Sequence, residues 1–319
     1  MSGLPPEKAR TPVYVTGLAY ELGEHVHDLD ELALVLPGVR ASLRESGLKA
    51  YRTSDRAPAE LAKVTLAATL AQLDPPRPGS IRHVIYATNS MWDAGFTDPA
   101  TLGSLLVDLG LEAAYPYGIF LSYCANLHCA FDLGAAIIRS AETDRVLVVC
   151  TDKADPRSDR LVQPRISVHS DGAASFVLTR DQTPGSYRLI DTVLTINPRI
   201  GAIDADRHFI EYFHAVTEGI ALVVEKALSR TGLAVGDVAR VFTNNYNEMI
   251  STIVAKLIGF GGGQLYLDNI PRFAHSLAAD AVINLADCAA ASPWAGGELL
   301  LVLGTGPIQW ACSILETVP

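Results

Sequence analysis

The sequence has no cluster of basic residues. Its 25 Lys and Arg are outnumbered by 35 Asp and Glu, which gives a formal net charge of −10 at pH 7. Because nucleic acids and anionic membranes select concentrated positive charge, we expect neither as a partner. Long apolar runs are missing too, since Asp, Asn or Gly interrupts each one before it reaches the length of a membrane span. The first residues show no secretion signal, so we expect a cytoplasmic protein.

Cysteine is scarce and unpatterned. The five cysteines are an odd number without C-x-x-C spacing, which argues against a disulfide framework or a zinc site. No His or Cys pair has ligand spacing with a carboxylate partner, and no G-x-G-x-x-G or phosphate-loop pattern occurs. We therefore expect reduced thiols, no metal and no permanently bound cofactor.

Short β-branched runs alternate with helical patterns along the chain. Residues 82–89, 145–151 and 173–179 read as buried strands, and helical patterns lie over 98–109 and from Cys124 to about Ser140. Continuous apolar strands separated by helices predict an α/β protein whose sheet is covered on both faces.

The second part of the sequence repeats the first. Residues 240–245 form another strand ending in Thr-Asn, and residues 273–276 open a second Ala-rich helical segment, with spacing to the next strand similar to that after Cys124. This indicates a duplicated unit. We predict two halves, 1–180 and 181–319, with Cys124 and His275 in equivalent positions near a pocket between them.

Cys124 is the strongest candidate for a catalytic residue. An apolar run over 118–123 delivers it to the start of an Ala-rich helix. Unpaired N–H groups and the helix dipole at such a position favour the nucleophilic thiolate. The order strand, turn, nucleophile, helix is used by several acyl-transfer enzymes. The alternative is a small buried hydrophobic residue without a chemical role.

Three segments make the chain resemble the thiolase-like superfamily, and within it the ketoacyl-ACP synthase III branch. They are Cys124-Ala125, residues 170–174 (Ser-Asp-Gly-Ala-Ala) and the glycine-rich ending over 304–310. The resemblance implies a thiolase-like fold, with two pseudo-duplicated halves in a layered αβαβα arrangement, and a homodimer. It also implies that Cys124 takes an acyl group from a thioester of coenzyme A or an acyl carrier protein. The backbone N–H groups of Cys124 and Gly306 would hold the oxyanion.

The chain departs from the family pattern beside the nucleophile. Condensing members place a His and an Asn on two loops, and here Asn244 stands at the usual His position while His275 stands at the usual Asn position. Only the imidazole can take up a proton at neutral pH. We therefore expect His275 to act as the base and Asn244 to orient it or the incoming carbonyl. An Arg that usually follows appears as Met249, which leaves the donor open between coenzyme A and a carrier protein.

These observations predict an acyltransferase of specialised biosynthesis. Cys124 would be acylated, and His275 would then activate a small-molecule acceptor with a hydroxyl, amine or carbanion group. One alternative is a Claisen condensation, decarboxylating or not, and another is an inert thiolase-fold partner of a synthase. Three further residues are candidates for the substrate pocket, each with a structural role as its alternative: His128, His169 and Asn245.

Overall fold

A computed structural model describes residues 11–73, 80–90, 98–162 and 165–319. Up to residue 180 the elements in chain order are β1 (Tyr14–Leu22), β2 (His25–Asp28), α1 (Pro37–Glu45), β3 (Ala50–Thr53), α2 (Pro58–Ala71), β4 (His83–Ala87), α3 (Pro99–Asp108), β5 (Tyr115–Ile119), α4 (Asn126–Arg139), β6 (Arg145–Asp152), β7 (Leu161–Val162), β8 (Ser167–Val168) and β9 (Gly172–Thr179). The rest comprises β10 (Tyr187–Ile196), α5 (Phe209–Thr231), β11 (Val238–Phe242), α6 (Glu248–Leu257), α7 (Ile270–Phe273), α8 (Asp280–Ala291), β12 (Leu299–Thr305) and β13 (Gln309–Thr317).

The main sheet is built from two similar halves. Its strand order is β11-β12-β13-β10-β1-β9-β6-β4-β5. In the first half β1, β9 and β6 are successively antiparallel and β4 is parallel to β6. The second half repeats this pattern with β10, β13, β12 and β11. Leu265 adds a parallel bridge to Val241, at the place that β5 occupies beside β4. The predicted pseudo-duplication is therefore confirmed in the strand pattern.

Helices cover the sheet in layers. α4 and α8 pack between the two halves, since each contacts strands from both of them. α2 covers β1, β6 and β9 from outside, and α5 covers β10 and β13 in the same way. Every position of β9 is buried, as expected for a strand covered on both faces. Gly134 lets α4 lie close to the sheet, because a Cβ there would come within 2.3 Å of Leu178 Cδ1. The predicted layered α/β fold is confirmed.

One predicted equivalence is wrong. A single 3-10 turn precedes each middle helix, Tyr123–Ala125 before α4 and Leu277–Ala279 before α8. Both turns begin with a residue at positive φ, 50° at Tyr123 and 53° at Leu277. Cys124 therefore corresponds to Ala278, and His275 lies in the connection that precedes the turn. The proposed boundary at 180/181 would fall between β9 and β10 and stays our interpretation. Among the described residues, no helix has both the length and the apolar character that a membrane span requires.

Candidate active site

Cys124 lies at the N-terminal end of α4, in the middle of the Tyr123–Ala125 turn. Its side chain is buried, with 5% of its surface exposed. The Asn126 side chain fixes the turn by accepting a hydrogen bond from the Ser122 N–H at 2.9 Å. The end of β12 approaches closely from the other half, where Gly304 faces the Cys124 carbonyl oxygen. A Cβ on Gly304 would lie only 3.1 Å from that oxygen, so the absence of a side chain permits the close approach. The nucleophile is thus held between the two halves of the fold.

His275 is brought to Cys124 by a main-chain contact with β8. The His275 N–H donates to Val168 O at 3.0 Å, and the Ser170 N–H donates to His275 O at 2.8 Å. These bonds fix the backbone although His275 is outside any helix. The imidazole is fully buried, and its Nε2 lies 3.1 Å from Cys124 Sγ. That distance permits proton transfer between sulfur and imidazole.

Asp280 completes a Cys-His-Asp triad that sequence reasoning missed. The His275 Nδ1–H donates to Asp280 Oδ2 at 2.5 Å, and both side chains are fully buried. The carboxylate also accepts the backbone N–H groups of Ser276 at 2.7 Å and Asn245 at 2.8 Å. With Nδ1 donating to the carboxylate, Nε2 is free to accept a proton from the thiol. The available signal was a lone acidic residue at the start of an Ala-rich apolar helix, shortly after His275.

The triad uses a turn that both halves share. In the first half Asn126 opens α4 and accepts from the Ser122 N–H, four residues back. In the second half Asp280 opens α8 and accepts from the Ser276 N–H in the same way. A carboxylate therefore stands where the duplicate has an amide. Only the carboxylate supplies a negative charge to the imidazole.

The charges around His275 favour its protonated form. Burial alone would lower the pKa of His275, but the sulfur of Cys124 and the carboxylate of Asp280 outweigh burial and raise the pKa to about 10. An imidazole in these surroundings can take up a proton and hold it during a reaction.

Tyr246 is a second residue that sequence reasoning missed. Its hydroxyl lies 3.7 Å from Cys124 Sγ and 2.7 Å from Thr305 O, to which it can donate. The Thr305 hydroxyl donates to the phenol oxygen at 2.9 Å. The ring packs against the His275 imidazole with centroids 4.7 Å apart. The sequence had pointed to its neighbours in the same loop, because the family comparison drew attention to Asn244.

Asn244 and Gly306 are near the site but are engaged elsewhere. Asn244 Oδ1 accepts from the Thr305 N–H at 3.0 Å, and its Nδ2 donates to Leu277 O at 3.4 Å. Asn244 thus joins two backbone segments, and its hydrogen bonds go to neither Cys124 nor His275. The Gly306 N–H donates to Gln309 O at 2.7 Å. Its role in an oxyanion hole stays a prediction and would require that bond to open.

The three other pocket candidates have different surroundings. His128 fits its structural alternative: it is not among the residues that line the cavity at Cys124, its Nδ1 lies 2.8 Å from Ser313 Oγ, and burial lowers its pKa to about 3. Asn245 does not line it either, and its N–H supports Asp280 instead. His169 does line the cavity, with its ring 5.6 Å from that of His275. Burial, followed by the charges of His275 and Arg160, lowers the pKa of His169 to about 3, so this imidazole is neutral.

A cavity of about 580 Å³ opens onto Cys124 and His275. This volume is within the range of sites for small organic molecules. One wall is apolar and comes from α5 and α6, with Phe209, Tyr212, Phe213, Val216, Ile250 and Val254. Other lining residues are polar and include Lys153, Ser158 and Arg160. In the described part of the chain, one group of possible metal ligands, Glu24, His25 and Asp55, lies on exposed surface and shares no residue with this lining.

Comparisons with known proteins agree with this fold. No protein-family profile matches the chain. Beta-ketoacyl-[acyl-carrier-protein] synthase III of Nitratidesulfovibrio vulgaris is 25% identical, over 97% of this chain and 95% of its own. Among solved structures, the acyltransferase ChlB3 superposes with a TM-score of 0.84 at 20% identity, covering 96% of this chain and 98% of its own. Synthase III of Aquifex aeolicus superposes with a TM-score of 0.80 at 18% identity, covering 95% and 99%.

The chain therefore has the thiolase-like fold, and its sequence is similar to those of proteins named beta-ketoacyl-[acyl-carrier-protein] synthase III. Enzymes of the ketoacyl-ACP synthase III branch carry out acyl transfer and condensation on thioesters of coenzyme A or acyl carrier protein.

Proposed function

We propose that the protein is an acyltransferase in which Cys124 carries the acyl group, His275 moves protons and Asp280 orients His275. The observation that carries the proposal is the buried chain of contacts from Cys124 Sγ to His275 Nε2 at 3.1 Å and from His275 Nδ1 to Asp280 Oδ2 at 2.5 Å. This is the arrangement by which a carboxylate keeps a histidine in the tautomer that activates a nucleophile.

The first half-reaction loads Cys124. His275 Nε2 takes the thiol proton, and Sγ attacks the carbonyl carbon of an acyl thioester. The carbonyl electron pair moves to oxygen and then returns, so that the bond to the donor sulfur breaks. The leaving thiolate takes the proton from His275 and departs as a thiol. The charge of Asp280 stabilises the imidazolium that exists between these two proton transfers.

The second half-reaction releases the acyl group to an acceptor. The hydroxyl or amine of the acceptor gives its proton to His275 Nε2 and attacks the carbonyl carbon of acyl-Cys124. The bond from that carbon to Sγ breaks, and the sulfur recovers a proton from His275. One base serves both half-reactions, which fits the contact of His275 Nε2 with Cys124 Sγ at 3.1 Å.

Asn244 favours transfer over decarboxylating condensation. In condensing members a His and an Asn both donate to the carbonyl of the malonyl donor. In this chain the Asn244 side chain is held by Thr305 and Leu277. The histidine is turned toward a carboxylate, as suits a base. Condensation remains the second candidate because the curated relatives are named beta-ketoacyl-[acyl-carrier-protein] synthase III.

The donor is proposed to be a thioester of coenzyme A or an acyl carrier protein, and the acceptor a small molecule. The carrier appears in the names of the relatives. The apolar wall of the cavity can hold an acyl chain or the apolar part of an acceptor. We further propose that the protein is a homodimer, which light scattering of the purified protein would test. We also propose that it is located in the cytoplasm.

Intact-protein mass spectrometry tests the proposal. The wild-type protein is exposed to a panel of acyl-CoA and acyl-carrier thioesters and should gain one acyl mass on Cys124. Cys124→Ala should gain none. Cys129→Ala removes a neighbouring half-buried thiol and should be acylated like the wild type. If the wild type gains no acyl mass from any donor, the inert-partner alternative is favoured instead. Release of CO₂ with a β-keto product from a malonyl thioester would favour condensation.

A further inference from the structure

The Tyr246 hydroxyl lies beside the nucleophile but has no role in the steps described above. It is 3.7 Å from Cys124 Sγ and faces the same cavity. It stands on the 244–247 loop, in the half of the fold opposite to Cys124. A hydroxyl so close to the reacting sulfur is a potential hydrogen-bond donor to the substrate.

Acyl transfer needs such a donor. When sulfur attacks a carbonyl carbon, negative charge collects on the oxygen, and preorganised donors lower the barrier. Gly306 would have to give up its 2.7 Å bond to Gln309 O, which closes the β12–β13 turn, and this requires main-chain movement. The Tyr246 O–H can leave Thr305 O by rotation about a single C–O bond. The phenol is therefore the more accessible of these two donors.

We propose that Tyr246 is a catalytic residue that donates its phenolic hydrogen bond to the carbonyl oxygen of the acyl thioester as Cys124 attacks. This inference rests on the proposed acyltransferase function. The oxygen is bonded to the carbon that Sγ attacks, so it lies close to the sulfur. A hydroxyl 3.7 Å from Sγ is within reach of the ~2.7–3.1 Å separation at which oxyanion donors act.

Tyr246 keeps its proton throughout this step. The carbonyl electron pair moves to oxygen as the bond from sulfur to carbon forms, and it returns as the donor thiolate leaves. Burial raises the pKa of Tyr246 well above its ordinary value, and the neighbouring sulfur of Cys124 raises it further. The Thr305 hydroxyl donates to the phenol oxygen at 2.9 Å, which polarises the O–H and strengthens it as a donor.

Tyr246→Phe separates this role from packing, because it retains the ring against His275 and removes only the hydroxyl. The acylation rate of Cys124 by one acyl-CoA is followed by rapid quench and intact mass spectrometry. We expect a loss on the order of 10²-fold, the size found when one oxyanion donor is removed. Alkylation of Cys124 by iodoacetamide, which forms no oxyanion, should keep its wild-type rate and pH profile. Tyr187→Phe, which removes a buried phenol in β10, is the matched control and should acylate normally.

Each outcome is decisive. Slower acylation with unchanged alkylation supports the inference. Acylation of Tyr246→Phe at the wild-type rate overturns the inference and leaves the proposed function intact. An equal loss of acylation and alkylation also overturns the inference, because it shows that Tyr246 only positions His275. Absence of acylation in the wild type overturns the proposed function and the inference together. If the Phe variant does not fold, 3-fluorotyrosine at position 246 keeps the ring and strengthens the donor, and an unchanged acylation rate would then overturn the inference.

Discussion

Replacing Asp280 by Asn should leave Cys124 and His275 in place but give the histidine the wrong proton arrangement. Asp280 Oδ2 accepts from both His275 Nδ1 and the Asn245 N–H, and Oδ1 accepts from the Ser276 N–H. An Asn side chain offers one oxygen for these two positions. If its NH₂ group takes the place of Oδ2, it donates to His275 Nδ1, and the imidazole proton moves to Nε2. If the NH₂ group takes the place of Oδ1 instead, it faces the Ser276 N–H. In the first case Nε2 can no longer accept the thiol proton.

The size of the effect follows from these contacts. In a Ser-His-Asp protease the same replacement costs about 10⁴ in kcat through the wrong tautomer, so we expect a loss on the order of 10³ to 10⁴ in acyl transfer. A backbone N–H left facing the NH₂ group lowers the free energy of unfolding by about 1–3 kcal/mol. The removed charge also lowers the pKa of His275 from its raised value of about 10.

Single-turnover kinetics check this prediction. Acylation of Cys124 and transfer to an acceptor are timed by intact mass spectrometry for the wild type and Asp280→Asn. Asp152→Asn is the matched control, since Asp152 is also a fully buried acidic residue that accepts backbone N–H groups, and its side-chain hydrogen bonds within the described residues go to Thr88, Asn89 and Ser90 rather than to a histidine. It should lose stability and retain transfer. The reasoning is refuted if Asp280→Asn is folded and both half-reactions run at wild-type rates.

Three further changes have expected outcomes. Cys124→Ser should slow acylation while the chain remains folded, because a hydroxyl loses its proton less readily than a thiol, and mass spectrometry against the wild type measures it. Gly304→Ala would place a Cβ 2.5 Å from His128 Cδ2, so we expect an overpacking loss of about 1–3 kcal/mol in denaturant unfolding and slower acylation. The pKa of His128 is lowered from 6.5 to about 3, so its contribution to stability is complete above pH 6.5 and is lost as pH falls toward 3. Between pH 7 and 5 the free energy of unfolding should fall by about 2 kcal/mol more for the wild type than for His128→Phe, and equal pH slopes would contradict this.

The sequence predicted the parts of the fold that depend on local pattern. The buried strands and the repeated Thr-Asn strand endings predicted a duplicated unit with a sheet covered on both faces, and the family resemblance implied the layered arrangement. His128 became a pocket candidate because it lies four positions after Cys124, a spacing that places two residues on the same face of a helix. Cys124 lies in a 3-10 turn and α4 begins at Asn126, so that spacing does not apply. His128 instead contacts Ser313 in β13.

The candidate site required contacts that no local pattern contains. His275 was predicted from the internal repeat and from its correspondence to the Asn position of condensing family members, but its approach to Cys124 depends on backbone bonds to Val168 and Ser170 in another part of the chain. Asp280 was hidden in an Ala-rich segment that reads as a core helix. Tyr246 reaches Cys124 across the junction between the halves, which only the packed structure brings together.

A chase of the acyl-enzyme distinguishes acyl transfer from condensation at Cys124. Cys124 is loaded from an acyl-CoA, excess donor is removed, and the protein is divided among hydroxyl or amine acceptors and a malonyl thioester. We expect the acyl mass to leave Cys124 as an ester or amide without CO₂, and we expect Asp280→Asn to retain the mass far longer than the wild type. Loss of the mass only with the malonyl thioester, with release of CO₂ and a 3-ketoacyl product, would contradict this expectation.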